Sequence, residues 1–498
     1  MRIRYFIQII LFITLLNTKA YSGPAYDNNL NIRKAHQLLF ALRPLSAEKL
    51  LKSEEIKNPD NGYIIFYRMY SEVISLMIAN SSEQYTKRSA FLNQYVEGLR
   101  KLPDNSPDYR LLLGEAKVFT GLIRVKYDSK FSGLIECLRG YNLLQENAEK
   151  YPLYEPDDKI PGMIQVSVAF MPKIIQWGIK LLGIKGNPQA GLKKLSDYAK
   201  FAQGKPGYDE ESFVFTMAAY KIMNQEDELM KLIIEKKEQF KEIALINYIA
   251  ATVASDANRG DYTLQLISNI QSEKLEIPFP QIHYISGKTK MMRLDPDADI
   301  PLLTYLKEST ATDYLKTTLY EVACYYLVTG NIPQYRNYIN QVKEQGRELH
   351  NRDIEAAFEA IKSELPNRWL MRAEYLVRGG YEQKADEELA KITDLKTLNE
   401  AEIVQYYYLK GESKRLKRLV AEAETAYLKA FDTGKSSGDY YAQKALVQAG
   451  IMLENNGSRA EAGKYYNLVL KFSAKSNPYS DLYTNKAKAG LIRLSFVQ

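Results

Sequence analysis

The residue types that most often carry out enzyme chemistry are sparse in this sequence. Its 498 residues include three histidines, His36, His283 and His350, and two cysteines, Cys137 and Cys324. No histidine has a second histidine or a cysteine at the short spacing of a zinc site, so we expect no metal site. Cys137 has no histidine beside it that could activate its thiol as a nucleophile. Both cysteines lie in apolar, helix-like surroundings, which favours buried free thiols.

Glutamate pairs are the other candidates for chemistry, because two carboxyl groups can act as general acid and base. Glu54-Glu55, Glu210-Glu211 and Glu387-Glu388 are instead typical of solvated helix faces. We therefore expect no catalytic residue and no cofactor. An enzyme whose pocket holds His283 or an acidic pair with shifted pKa values stays as an alternative.

The net charge of +7 is small for a chain of this length. Three of the positive charges, Arg2, Arg4 and Lys19, belong to the extreme N-terminus. The remaining acidic and basic residues are interleaved, whereas nucleic-acid binders concentrate lysine and arginine on one face. The charge pattern therefore predicts no nucleic-acid partner.

The N-terminus has the pattern of a secretory signal peptide. The basic start "MRIR" precedes the apolar run Tyr5–Leu16, and Thr18 and Ala20 are the small residues before a cleavage site. We expect export by the Sec route with cleavage after Ala20, to the periplasm or cell envelope. No cysteine lies near the cut, so a lipoprotein anchor is not expected. An uncleaved N-terminal anchor is the alternative.

Apolar residues recur at helical spacing along the whole chain. Segments such as "IIFYRMYSEVISLMIA" and "TTLYEVACYYLVTG" have apolar residues three and four positions apart, and no run of alternating strands with hairpin turns is present. The 38 tyrosines lie mostly within these segments, where a rigid ring with one polar tip suits helix packing. The sequence predicts an all-α chain of antiparallel helix pairs.

The C-terminal third repeats one pattern of residue sizes every 38 or 39 residues. A small residue is followed twelve positions later by alanine, and four positions after that by a large residue. Small residues let two helix backbones approach, and the large residue fills the gap to the next pair. The pattern occurs in three copies: Ala373, Ala385 and Leu389; Gly411, Ala423 and Tyr427; Gly450, Ala462 and Tyr466.

These copies resemble the tetratricopeptide repeat, with longer loops. The resemblance implies a tetratricopeptide-like α-solenoid with a right-handed superhelix, closed by a capping helix at Tyr483–Leu494. Weaker copies lie in the middle third. We predict four segments: a signal peptide at 1–20, a helical region at 21–205, degenerate repeats at 206–350, and clear repeats with the cap at 351–498.

An apolar stretch at residues 161–184, "PGMIQVSVAFMPKIIQWGIKLLGI", is a candidate membrane segment. Its longest uncharged run, Ile160–Pro172, has thirteen residues, fewer than the roughly 20 that a membrane-spanning helix needs. A helical hairpin over 161–195 is favoured, with Asn187 as the N-cap of the next helix and Pro188 in its first turn. The alternative is an interfacial helix that contacts a membrane through Ile174, Trp177 and Leu181.

The same stretch resembles the signature hairpin of the tetratricopeptide-repeat-39 family and its fungal inclusion-body-clearance relatives. Pro172-Lys173, Gly183–Asn187 and Gly191-Leu192 match the family's proline before a basic residue and its glycine-bearing turn. Ile184 and Asn187 replace an aromatic residue and an aspartate of the family. The resemblance implies an all-α repeat protein without known chemistry, loosely linked to membranes or lipid bodies. With the signal peptide, it indicates a bacterial exported relative.

In tetratricopeptide repeats the first helix of each pair lines a concave groove. Positions about three and six before the small residue, and one and four after it, point into that groove. Such a mixed surface suits an extended peptide or a helix; the alternative is a solvated face that binds nothing. The positions are Asn367, Leu370, Glu374, Val377, Gln405, Tyr408, Glu412, Arg415, Lys444, Val447, Ile451 and Glu454.

The sequence therefore predicts a non-enzymatic exported scaffold that binds a protein or peptide partner in the cell envelope. A membrane- or lipid-associated protein that uses the 163–184 hairpin is the alternative function. The oligomeric state is not indicated.

Overall fold

The computed structural model of the protein describes residues 25–171, 184, 186–311, 314–348, 351–472 and 478–495. These residues form twenty-four α-helices and three short 3₁₀ helices, and no strand occurs among them. The all-α prediction is confirmed, and neighbouring helices pack as pairs.

The first nine described helices lie between residues 30 and 222. They are α1 Leu30–Phe40, α2 Pro44–Lys57, α3 Gly62–Ala79, α4 Ser82–Arg100, α5 Pro107–Tyr127, α6 Lys130–Lys150, α7 Lys159–Phe170, α8 Pro188–Ala202 and α9 Tyr208–Ile222. A 3₁₀ helix at Glu155–Asp158 precedes α7.

Fifteen further helices follow. They are α10 Glu226–Lys236, α11 Ala244–Asp256, α12 Gly260–Ser268, α13 Gln281–Arg293, α14 Asp299–Glu308, α15 Leu315–Thr329, α16 Ile332–Glu344, α17 Asn351–Ala360, α18 Arg368–Gly379, α19 Glu382–Ala390, α20 Glu400–Leu416, α21 Val420–Gly434, α22 Tyr440–Asn455, α23 Arg459–Lys471 and α24 Ser480–Ser495. The other two 3₁₀ helices are Ser272–Lys274 and Leu395–Thr397.

The described residues divide into two compact units. The first contains those of Met1–Met77, Glu83–Gly162 and Lys193–Phe213, and the second contains those of Ile78–Ser82, Met163–Leu192 and Val214–Gln498. The segment boundaries predicted from the sequence, at 205/206 and 350/351, stay predictions.

In the first unit, α5 and α6 pack almost backbone to backbone. A Cβ atom added at Gly133 would lie 2.6 Å from the carbonyl oxygen of Gly121, and one added at Gly140 would overlap the carbonyl oxygen of Gly114. Residues early in α5 face residues late in α6, so the pair is antiparallel. Only glycine permits this approach, because any other residue places a side-chain carbon where the facing backbone lies.

A buried charged cluster lies in the core of the first unit. The ammonium group of Lys159 is 2.9 Å from a carboxylate oxygen of Glu115 and 2.6 Å from one of Glu211. His36 Nε2 lies 3.9 Å from the other carboxylate oxygen of Glu211. All four residues are at most 3% exposed. Buried charges are tolerated when they are paired, so these contacts hold α1, α5, α7 and α9 in one arrangement.

Burial also changes the protonation of this cluster. It raises the pKa of Glu115 to about 8, because removing water disfavours the carboxylate and Lys159 only partly compensates. Burial lowers the pKa of His36 to about 4, so its imidazole is neutral at pH 7. For Glu211, Lys159 outweighs the effect of burial and lowers the pKa. At neutral pH the cluster therefore contains one ion pair, Lys159–Glu211, beside a neutral Glu115 and a neutral His36.

We expect the free energy of unfolding to fall as the pH rises from 5 to 9, and to fall less in the Glu115→Gln variant. The carboxyl of Glu115 titrates near 4.5 when unfolded and near 8 when folded. The folded chain therefore binds more protons in this interval. The stability that Glu115 contributes is complete below about pH 4.5 and is lost as the pH rises through about 8. The variant should reduce the fall by something on the order of 4 kcal/mol.

Denaturant unfolding of both proteins at pH 5, 7 and 9 measures this difference. Asp157, whose pKa burial raises to about 7, titrates in the same direction, and His36 opposes both below pH 6.5. These groups are present in both proteins, so the comparison isolates Glu115. Parallel pH curves would contradict the assignment.

In the second unit, the predicted pattern of small and large residues packs as the repeats require. The tyrosine rings pack directly on the glycines. A Cβ atom added at Gly411 would lie only 2.5 Å from the ring of Tyr427, and one added at Gly450 would lie 2.6 Å from the ring of Tyr466. Ala385, Ala423 and Ala462 at the second small position are fully buried, in one apolar core with the rings. The close helix packing predicted from the repeats is confirmed at these positions.

Candidate partner-binding groove

A groove of about 1830 Å³ lies within the second unit. Its wall comes largely from α10, α11, α13, α15, α17, α18, α20, α22 and α24. In the pairs α18/α19, α20/α21 and α22/α23, the first helix supplies most of the lining. The second helix contributes one residue each, namely Glu382, Val420 and Arg459. Successive first helices therefore present their side chains to a single surface.

The structure brings most of the predicted partner-binding residues together in this groove. The residues that line it are Asn367, Glu374, Val377, Gln405, Tyr408, Glu412, Arg415, Lys444, Ile451 and Glu454. Leu370 does not line the groove: it is 1% exposed and packs in the apolar core of the repeats. Val447 is buried there in the same way. The predicted role of these two aliphatic residues is wrong, because their side chains fill the space between helices.

Tyr408 lines the groove, but its side chain is almost completely buried. It is 3% exposed, and its ring lies 5.4 Å from that of Tyr441 and 6.1 Å from that of Tyr427, measured between centroids. The ammonium group of Lys444 lies 4.5 Å from the centre of the Tyr408 ring, within cation–π range. Tyr408 therefore supports the groove and positions Lys444.

Glu374 is bound by three neighbouring side chains. It accepts hydrogen bonds from Gln405 Nε2 at 2.9 Å and Tyr441 Oη at 2.7 Å, and it lies 3.7 Å from Lys444 Nζ. Burial opposes its ionisation, but Lys444 and these hydrogen bonds lower its pKa. The network connects α18, α20 and α22, so it fixes three successive first helices relative to one another.

Two other groove carboxylates accept hydrogen bonds from the tyrosines at the large position of the repeat. Glu412 accepts a hydrogen bond from Tyr427 Oη at 2.6 Å and pairs with Arg415 at 2.7 Å. Glu454 accepts one from Tyr466 Oη at 2.6 Å and pairs with Arg493 at 2.6 Å. In these two copies the large residue thus has two tasks: its ring fills the gap between helices, and its hydroxyl orients a carboxylate of the groove.

The sequence did not reveal the groove residues that lie outside the predicted repeat positions. Tyr375 Oη donates to Glu321 at 2.5 Å, and Arg378 lies 3.7 Å from the same carboxylate. Lys288 lines the groove from α13 and Lys486 from the capping helix α24. The abundance of tyrosine was the available signal. Eight tyrosines line the described groove: Tyr284, Tyr320, Tyr375, Tyr408, Tyr440, Tyr441, Tyr479 and Tyr483.

His283, Cys137 and Cys324 do not line the groove. His283 is 3.5 Å from Glu308 at an exposed position, beside a separate pocket of about 420 Å³. Cys324 is a buried free thiol, and burial raises the pKa of the half-buried Cys137 thiol to about 11. Within the described ranges, no group of three histidine, cysteine, aspartate or glutamate side chains is placed to hold a metal ion.

The predicted membrane-contact residues, Ile174, Trp177 and Leu181, lie outside the described residues. In the part of the chain that the structure covers, no helix has both the length and the apolar character to cross a bilayer. The turn that follows is described. The Asn187 side chain accepts a hydrogen bond from the backbone of Ala190 at 3.0 Å, and α8 begins at Pro188. The predicted N-cap and first turn are confirmed.

No model of a known protein family matches this chain, and no curated protein matches it. Membership of the tetratricopeptide-repeat-39 family stays a prediction that rests on the residues quoted above.

Proposed function

We propose that this protein is an exported, non-enzymatic helical-repeat scaffold. Its groove binds an extended peptide segment of a protein partner in the cell envelope. The observation that carries the proposal is the groove itself, where the first helices of successive pairs present ten of the twelve predicted positions to one surface. Export rests on the N-terminal sequence, and relationship to tetratricopeptide proteins rests on the repeat pattern.

The composition of the groove suits an extended peptide. Its tyrosine rings offer flat apolar surfaces with polar edges, which bind a peptide backbone and its side chains at small entropic cost. Its main carboxylates are already fixed by tyrosine and arginine, so the surface is preorganised, and preorganisation favours affinity. The groove is also open along several helix pairs, as a segment of many residues requires.

Gln448 and Ile451, one turn apart on α22, test this proposal. Both line the groove and are half-buried, and neither belongs to the carboxylate networks described above. Replacing both with alanine is expected to weaken the binding of short randomised peptides by about tenfold, because contact surface at the groove is lost. Fluorescence anisotropy with labelled peptides of about a dozen residues, up to about 40 Å when extended, measures the effect.

Asn467→Ala with Leu468→Ala is the matched control. This pair also combines an amide and an aliphatic side chain, but it lies exposed on α23 and does not line the groove. The control should bind peptides as the unchanged protein does. Equal affinities for all three proteins would refute the groove assignment, and so would an absence of peptide binding by the unchanged protein.

A further inference from the structure

Four carboxylates of the groove have little capacity left for a positively charged ligand. Glu374, Glu412 and Glu454 are each bound by a tyrosine hydroxyl and a cationic side chain, as described above. Glu321 is bound by Tyr375 and lies near Arg378. A cation of the ligand would have to displace these partners, so these four carboxylates are poor sites for it.

Two half-buried lysines of the groove lack such partners among the described residues. Lys288 on α13 and Lys486 on α24 both line the groove and are half-buried. Neither makes a hydrogen bond or an ion pair with any other residue that the structure describes. A partly desolvated ammonium group without a partner is unfavourable, because it has lost water contacts and gained nothing in exchange.

The two lysines share charged neighbours. Burial lowers the pKa of Lys288 to about 8; Asp256 opposes this effect, whereas Arg378 and Arg352 add to it. Burial also lowers the pKa of Lys486; Glu226 and Asp256 oppose this effect, whereas Lys221 and Arg352 add to it. Both lysines line the same groove and have Asp256 and Arg352 as common charged neighbours.

The carboxylates of α10 and α11 that act on these lysines are themselves paired. Asp256 lies 2.8 Å from Lys221 Nζ, and Glu226 lies 3.6 Å from the same ammonium group. Lys288 and Lys486 therefore keep ammonium groups that form no ion pair with the described residues.

We propose that the part of the groove lined by Lys288 and Lys486 binds the acidic side chains of the peptide ligand. The inference rests on the proposed function, since it names the kind of peptide that the groove selects. An aspartate or glutamate of the ligand supplies each lysine with a charge-assisted hydrogen bond and offsets the cost of its burial. A neutral amide of the same size cannot do so.

Two matched peptide pools test the inference on the full mature chain. Both are fluorescein-labelled, about a dozen residues long and amidated at the C-terminus, with randomised flanks. One has a core of aspartate and glutamate, and the other has asparagine and glutamine at the same positions. We expect the acidic pool to bind about tenfold more tightly at low salt. A third pool, with the amide core and a free C-terminus, shows whether a chain-end carboxylate is accepted as well.

Four variants connect the preference to the lysines. Lys288→Met and Lys486→Met should each lower the preference for the acidic pool severalfold, whereas Lys288→Arg should keep most of it. Lys231→Met is the matched control, because Lys231 lines the same groove at an exposed position. Both methionine variants should fold, since each removes an unpaired half-buried charge. Thermal denaturation checks this.

The outcomes separate the two proposals. If no pool binds, the proposed peptide-binding function is wrong. If the acidic and amide pools bind equally, or if Lys231→Met lowers the preference as much as Lys288→Met does, peptide binding stands and the two-lysine site is wrong.

Discussion

Replacing Lys159 with methionine should lower the free energy of unfolding of the first unit by about 3–5 kcal/mol. Lys159 is the one cation between Glu115 and Glu211, at 2.9 and 2.6 Å. Its removal leaves the Glu211 carboxylate unpaired at a fully buried position. The remaining hydrogen bond from Tyr198 Oη, at 2.7 Å, cannot balance a full charge.

Denaturant unfolding combined with hydrogen exchange measures this effect, since exchange locates the loss of protection to α5, α7 and α9. Lys194→Met is the control: it breaks the partly exposed pair with Asp158, which should cost less than about 1 kcal/mol. The double variant Lys159→Met with Glu211→Gln should recover part of the loss, because it removes the unpaired charge as well. A loss no larger than that of Lys194→Met would contradict the interpretation of the cluster.

This cluster shows what sequence patterns miss. Glu211 belongs to a pair, Glu210-Glu211, that is typical of a solvated helix face, yet Glu211 is fully buried. Its partners Glu115 and Lys159 are distant in sequence and occur in no recognisable motif. Helical periodicity reports which face of a helix is apolar. It does not report which charged residues meet when helices far apart in the chain pack together.

The repeats were predictable for the opposite reason. Their spacing is local: the small residue, the alanine and the large residue lie within one helix pair, so a single sequence displays the geometry directly. The same register placed Glu374, Gln405 and Glu412 in the groove. The same register wrongly placed Leu370 in the groove, although this residue is buried. Its position was counted from Ala373 alone, and such a count does not distinguish the groove-facing edge of a helix from its buried side.

Gly450→Ala is expected to destabilise the second unit by about 1–3 kcal/mol, although alanine favours helices. The added Cβ atom would lie 2.6 Å from the ring of Tyr466. That ring has no room to move away, because its other edge lies even closer to the position of a Cβ atom at Gly490 and its hydroxyl is bound to Glu454. The strain should displace Glu454 and weaken peptide binding in the groove as well.

Gly463→Ala is the matched control, because it lies in the helix α23 and its nearest neighbour, a carbon of Leu494, is 3.6 Å from the added Cβ atom. This control should be neutral or gain up to about 1 kcal/mol. In the Tyr466→Leu background, where the ring is absent, Gly450→Ala should cost little free energy of unfolding. A double-mutant cycle measures this coupling. If Gly450→Ala destabilises the Tyr466→Leu variant as much as the unchanged protein, contact with the Tyr466 ring is not the reason for glycine at this position. The pattern of small and large residues would then have no packing explanation at Gly450.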